Sequence, residues 1–176
     1  MEFYTLKIGN LKRELPLVSI SPKLKIASVN LLGDRQMVEE LSAMLSDKIK
    51  NIEFDFLVGP EVKVLPILHE ISKILKKQRY VVCRKRIYGY MVLPVVSKEK
   101  PGLVLDGRDA KLINGKKVLI LDDVVSTGRT IRTVDSLMTT TNAKVVGHAS
   151  LFKQGNKSDS MVVDLIYLIE LPLFPG

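Results

Sequence analysis

Apolar residues fall into short runs alternating with stretches of helical spacing. Residues 54–58 form one such run, closed by Gly59-Pro60, and behind it Leu65, Leu68, Ile71 and Leu75 share one face of a helix. Another apolar run covers 80–83. After the turn signal Asn114-Gly115 the same grammar returns. Residues 118–121 read as a strand buried on both faces; a polar loop follows, then Ile131, Val134 and Met138 at i, i+3, i+7, then a strand over 144–151. Strand, loop, helix, strand, twice over, predicts βαβ units and a parallel sheet, an α/β fold. The run over 162–169 offers one more strand. Upstream, Asp34 is placed to cap a helix whose face carries Met37, Leu41, Met44, Leu45 and Ile49, with the methionines as core filler. The first 33 residues hold strand-like pieces at 3–8 and 24–31, separated by Pro16 and Pro22. They predict a small appended sheet capping a single domain over 1–176.

Residues 87–116 break the pattern. They contain Gly89, Pro94, Pro101, Gly102 and Gly107 around Ser97-Lys98-Glu99-Lys100, and read as a β-hairpin arm with a mobile tip. Such an arm is either a bare surface excursion or a lid over a site, and excursions of this length in compact domains lean toward function.

Composition narrows the class. A hydrophobic fraction of 46% and a charged fraction of 26% suit a packed globule, and the one cysteine, Cys83, excludes a disulfide scaffold. The N-terminus lacks the pattern of a secretory signal, and the best apolar run, 161–174, is interrupted by Asp164 and Glu170, short of the roughly 18 residues of a membrane span. The expectation is a soluble cytoplasmic protein with no membrane contact. Lys and Arg number 27 against 19 acids, a net charge of +8, which suits an anionic partner, either nucleic acid or a phosphorylated small molecule. Seven cations lie between 73 and 86. Lys73, Lys76 and Lys77 read as a solvated helix face, whereas Arg84, Lys85 and Arg86 directly follow an apolar strand. With 6% aromatic residues and no aromatic-interleaved basic strip, the sequence argues against nucleic acid. His69 and His148 lack partners at a spacing that suggests metal or nucleophile chemistry.

The chemistry concentrates in residues 118–130, VLILDDVVSTGRT. Asp122 and Asp123 end a buried strand at the edge where open α/β sheets bind ligands. Ser126, Thr127 and Gly128 then lead into a helix, so hydroxyls, turned backbone amides and the helix dipole converge as a phosphate cradle. Carboxylates beside such a cradle suit a sugar phosphate, whose vicinal hydroxyls they accept and whose monoester the loop receives. The competing phosphate motifs GxxxxGK[ST] and GxGxxG are absent from the sequence.

This stretch closely resembles the phosphoribosyl-pyrophosphate-binding signature of type I phosphoribosyltransferases, with compact adenine-type members the nearest likeness. The resemblance implies that family's fold: a parallel sheet flanked by helices, with a small N-terminal hood (about 1–33) and a flexible β-arm (about 87–116). It implies that Asp122 and Asp123 bind the ribose hydroxyls and that Ser126, Thr127, Gly128, Arg129 and Thr130 wrap the 5′-phosphate. Glu61, Val62 and Lys63 fall in the family's pyrophosphate loop, Arg84 and Lys85 match basic residues reaching the pyrophosphate, often across a dimer interface, and Lys98 or Lys100 on the arm would close over it. The ending Leu171-Pro172-Leu173-Phe174 is also similar. Three positions depart: Arg129 and Val64 stand where relatives often have glycine, and the Arg-Asp hood motif of adenine enzymes is not recognisable near 16–35, where Gly33-Asp34-Arg35 is a distant echo.

The implied reaction displaces pyrophosphate from C1 of the ribose of phosphoribosyl pyrophosphate (PRPP) by a nucleobase. Mg²⁺ would be held near Asp122 and Asp123 through water, Lys85 with Arg84 and Lys63 would neutralise the diphosphate, and Val124 and Val125 would flank the base. Adenine leads, with hypoxanthine, xanthine, guanine or orotate as alternatives and a PRPP-sensing regulator without turnover as another class. A homodimer is implied by the resemblance alone.

Overall fold

The computed structural model describes residues 2–100, 102–156 and 161–176; Pro101 of the arm lies outside them. Eleven strands and four helices are present among the described residues. An antiparallel layer forms from β1 (Phe3–Ile8), β2 (Leu11–Ser21) and β3 (Leu24–Ala27). Helix α1 (Arg35–Ile49), β4 (Phe56–Pro60), α2 (Leu65–Ile74) and β5 (Tyr80–Cys83) follow. The arm supplies β6 (Val95–Val96) and β7 (Val104–Leu105). Then come α3 (Gly107–Ile113), β8 (Lys117–Val125), α4 (Arg129–Thr140), β9 (Lys144–Gln154), β10 (Ile166–Leu171) and β11 (Leu173–Pro175).

The central sheet runs β10-β9-β8-β4-β5, and every neighbouring pair in it is parallel. From β4 the chain steps outward to β5, whereas from β8 it steps the other way to β9 and β10. The loops leaving β4 and β8 therefore diverge and open a crevice at their carboxyl ends, the topological switch point where such sheets bind ligands.

Period-two alternation splits the sheet between two cores. Leu57, Leu119 and Leu121 pack with α1, α2 and the antiparallel layer, while Val58, Val118 and Ile120 pack with α3 and α4. All six are fully buried, each such side chain contributing roughly 1.5–3 kcal/mol from water exclusion. Gly59 closes the register of β4 against β8, since a Cβ there would lie 2.6 Å from the Leu121 carbonyl oxygen.

The antiparallel layer is larger than the first 33 residues suggest. Pro16 does not divide it: β2 runs straight through, with Pro16 opposite Phe3 and its carbonyl accepting from the Ser28 N–H at 2.9 Å. The terminal strand β11 joins the same layer, pairing Leu173 with Ile26. The arm also differs from a simple hairpin. Its β6–β7 ladder is two residues long, and α3, capped by Asp106, fills its last third. Strand β10 starts at Ile166 rather than 162, after a turn in which Asp164 has φ +57°.

Candidate active site

Strand β8 carries the two acids out of the core and into the crevice. Asp122 is buried, and its Oδ1 accepts from the Asp123 N–H at 2.9 Å. Burial first, then the neighbouring Asp123 charge, pushes the Asp122 carboxyl well above the usual carboxylate range, with Lys63 partly offsetting. Asp123 Oδ2 is buried and has no hydrogen-bond partner among the described residues. Both acids line a cavity of about 420 Å³, together with Pro60–Val64, Lys85, Val124 and the start of α4.

Beside it, residues 126–130 shape a recess of about 30 Å³, bounded by Asp122 and Ile131. Gly128 sits at φ +76° as the N-cap of α4, a left-handed conformation that L side chains resist. The Arg129 N–H makes only a long 3.5 Å bond to Thr127 Oγ1, and the first turn of α4 holds no acid. A weakly bonded Arg129 N–H and an uncompensated helix dipole suit the recess to an anion.

The opposite wall is the loop after β4, in which the Glu61–Val62 peptide is cis. Lys63 Nζ donates to the Val29 carbonyl at 3.0 Å, linking this loop to the segment after β3. Val64 is buried in an ordinary helical conformation, φ −78°, at the N-cap of α2, so this position does not require a glycine.

The sequence-derived residues therefore converge in part. Asp122, Asp123, Ser126, Thr127, Gly128, Arg129 and Thr130 line the cavity or its recess, as do Glu61, Val62, Lys63, Lys85 and Val124. Val125 borders the recess, but its side chain packs in the core with α4. Arg84 lies outside the cavity wall; its guanidinium holds Glu61 and Tyr90. Lys98 and Lys100 are exposed and stand off the wall, to which the arm contributes Gly102 and Leu103. Asp34 of the Gly33-Asp34-Arg35 segment is committed elsewhere: it caps α1 through the Met37 N–H and takes both Nε and Nη2 of Arg13, at 2.6 and 2.9 Å. Thr133 also lines the cavity and was missed; its one sequence signal is the i,i+3 spacing from Thr130.

The acid pair fits a hard divalent cation. It offers carboxylate oxygens only, one of them without a partner, and Mg²⁺ is usually held by one or two carboxylates together with waters and substrate phosphates. No cluster of three or more candidate ligands occurs among the described residues, so the ligand itself would complete the coordination.

Residues 30–167 match the model of the phosphoribosyl transferase domain. An adenine phosphoribosyltransferase of Caldicellulosiruptor saccharolyticus is 28% identical over 171 residues, covering 95% of this chain and 88% of that protein. The crystal structure of an adenine phosphoribosyltransferase from Thermoanaerobacter pseudethanolicus superposes with a TM-score of 0.68 at 20% identity, covering 96% of this chain and 95% of that one. That of the Trypanosoma brucei adenine phosphoribosyltransferase, in complex with AMP, pyrophosphate and ribose-5-phosphate, gives 0.67 at 18% identity over 83% of this chain and 70% of that one.

Proposed function

The chain belongs to the phosphoribosyl transferase family, and from that premise we propose that it transfers the 5-phosphoribosyl group of PRPP to adenine, releasing AMP and pyrophosphate. The observation that carries the reading is the juxtaposition, within one crevice, of the Asp122–Asp123 pair and the recess at the left-handed Gly128 cap of α4. A ribose 5-phosphate needs acceptors for its hydroxyls and donors for its monoester, and the two lie at adjoining ends of one strand and helix.

Residues 126–130 hold the 5′-phosphate and fix the sugar. The carboxylates of Asp122 and Asp123 accept from the ribose hydroxyls, orienting C1 toward the 420 Å³ cavity. Displacement builds positive charge on the sugar and negative charge on the leaving diphosphate. Lys85 and Lys63 face the cavity where that negative charge grows. Val124 supplies apolar surface for the base, and Leu103 of the arm borders the same space and helps exclude water, which would otherwise hydrolyse the activated sugar. Mg²⁺, bound at Asp122 and Asp123 with the ligand, would supply electrostatic neutralisation of the diphosphate. Lys98 and Lys100 are the arm cations available for closure. The full assignment includes a cytoplasmic homodimer; no helix among the described residues is long and apolar enough to cross a membrane.

Adenine is favoured by the similarity to adenine phosphoribosyltransferases over nearly the whole chain. The test is a panel: PRPP, Mg²⁺ and adenine, hypoxanthine, xanthine, guanine or orotate singly, with the nucleotide product resolved by chromatography. AMP as the dominant product is expected. A different nucleotide would reassign the base, and PRPP binding without any product would make the protein a sensor.

A further inference from the structure

A further recess, of about 340 Å³, opens beside β5 and shares no wall residue with the 420 Å³ cavity. Its size falls within the roughly 300–1,000 Å³ typical of small-molecule sites. Arg79, Arg84 and Arg108 line it, with Asp106 and Asp109. Val82, Met91 and the Tyr90 ring add apolar surface. One side of that ring stacks on Tyr88 at 5.5 Å between centres, and Tyr90 still keeps 59% of its surface exposed.

The charges of this recess are unequally committed. Arg108 donates from Nε and Nη2 to the Asp106 carboxylate at 3.0 and 2.8 Å, which holds that carboxyl well below the usual range. Arg84 is bound to Glu61 and to the Tyr90 hydroxyl. Arg79 is exposed and forms neither hydrogen bond nor ion pair among the described residues. Burial first, then the Asp106 charge, pushes the half-buried Asp109 carboxyl up, with Arg79 and Arg108 partly offsetting. The balance is therefore positive, with Arg79 as the uncommitted cation.

These groups suit one kind of ligand. A guanidinium fork matches phosphate oxygens in shape and charge. Tyr90, Met91 and Val82 offer a ring face and pliable apolar surface to a flat heterocycle. Asp109 supplies an acceptor for an exocyclic amine. We propose that this recess is a second nucleotide site, separate from the site of transfer, which takes a nucleoside monophosphate with its phosphate on Arg79 and its base against Tyr90 and Met91. The recess owes nothing to the transfer chemistry, so the two assignments fail separately.

Equilibrium dialysis of AMP against wild type and Arg79→Glu tests the site, with turnover measured on both. The expected result is two AMP per wild-type chain and one in Arg79→Glu, with kcat and KM for PRPP unchanged. The chain has no tryptophan, so Tyr90→Trp adds a single fluorophore that reports on this recess. AMP should change its emission saturably. Adenosine, ribose 5-phosphate and inorganic phosphate should each bind at least about tenfold more weakly, because each lacks one of the two recognised parts. Should Tyr90→Trp itself disturb the recess, the dialysis counts alone decide. Equal counts in wild type and Arg79→Glu overturn the proposal, and weaker self-association of that variant would then make the recess a contact between two copies. A smaller fragment that binds as tightly as AMP also overturns it. A count that falls from one to none, in a protein without turnover, sinks the transfer assignment and leaves the second site standing.

Discussion

At the scale of single residues, the site stores an electrostatic cost at Asp122. The carboxyl is buried beside another acid and its pKa is raised. In the unfolded chain it loses its proton near the ordinary carboxylate pKa, about 3.9. The folded state therefore binds more protons than the unfolded state above that point, and stability falls as pH rises toward the raised folded pKa. Asp122→Asn keeps an acceptor for the Asp123 N–H and removes the charge. The variant is expected to be more stable at neutral pH by about 1 kcal/mol, roughly 2–4 °C in melting temperature, while losing PRPP turnover. The advantage should grow as the melting buffer is raised from about pH 4 toward neutrality; an advantage that shrinks over that range contradicts the assignment. The acids were legible in the sequence because paired carboxylates ending an apolar run have few structural explanations. The commitment of Arg84 to Glu61 was not, since residues 23 apart in sequence meet only through the parallel pairing of β4 with β5.

At the scale of elements, local signals located α1, α2, α4 and the loop–helix cradle, but missed α3, which lies in residues that read as a hairpin arm, and failed where partners were distant. Asp34 was readable as an N-cap from its place before an amphipathic stretch, and it caps α1. Its second partner, Arg13, comes from β2, an element hidden by Pro16. Proline normally interrupts a ladder, but here the strand passes through with the Pro16 carbonyl still bonded. Asp34→Ala removes the cap, and a loss of about 1–2 kcal/mol is expected by thermal or denaturant unfolding. PRPP affinity should survive that change, because Asp34 lies outside the cavity wall; a large loss of affinity with unchanged stability would instead make the segment part of the site. Strand β11 is too short and its partner, β3, too remote for periodicity to reveal the pairing.

At the scale of the whole molecule, the repeated strand–helix pattern was enough to predict a parallel sheet, and the strand order explains where its chemistry lies. Divergence of the chain at β4 and β8 opens one crevice. The acids, the cradle and Lys85 all sit on loops or strand ends that reach it. Base choice was the least legible feature, because the surfaces meeting there come from the sheet, the arm and the loop after β4. Val124 and Leu103 bring apolar area without a sequence motif. The most direct test of the account is pyrophosphate release from PRPP with adenine and Mg²⁺, comparing wild type with Asp122→Ala/Asp123→Ala. Adenine-dependent release that falls at least a hundredfold, on the order of 3 kcal/mol of transition-state stabilisation, is the expected result. Release that is undiminished in the double variant would contradict the placement of the reaction at the end of β8.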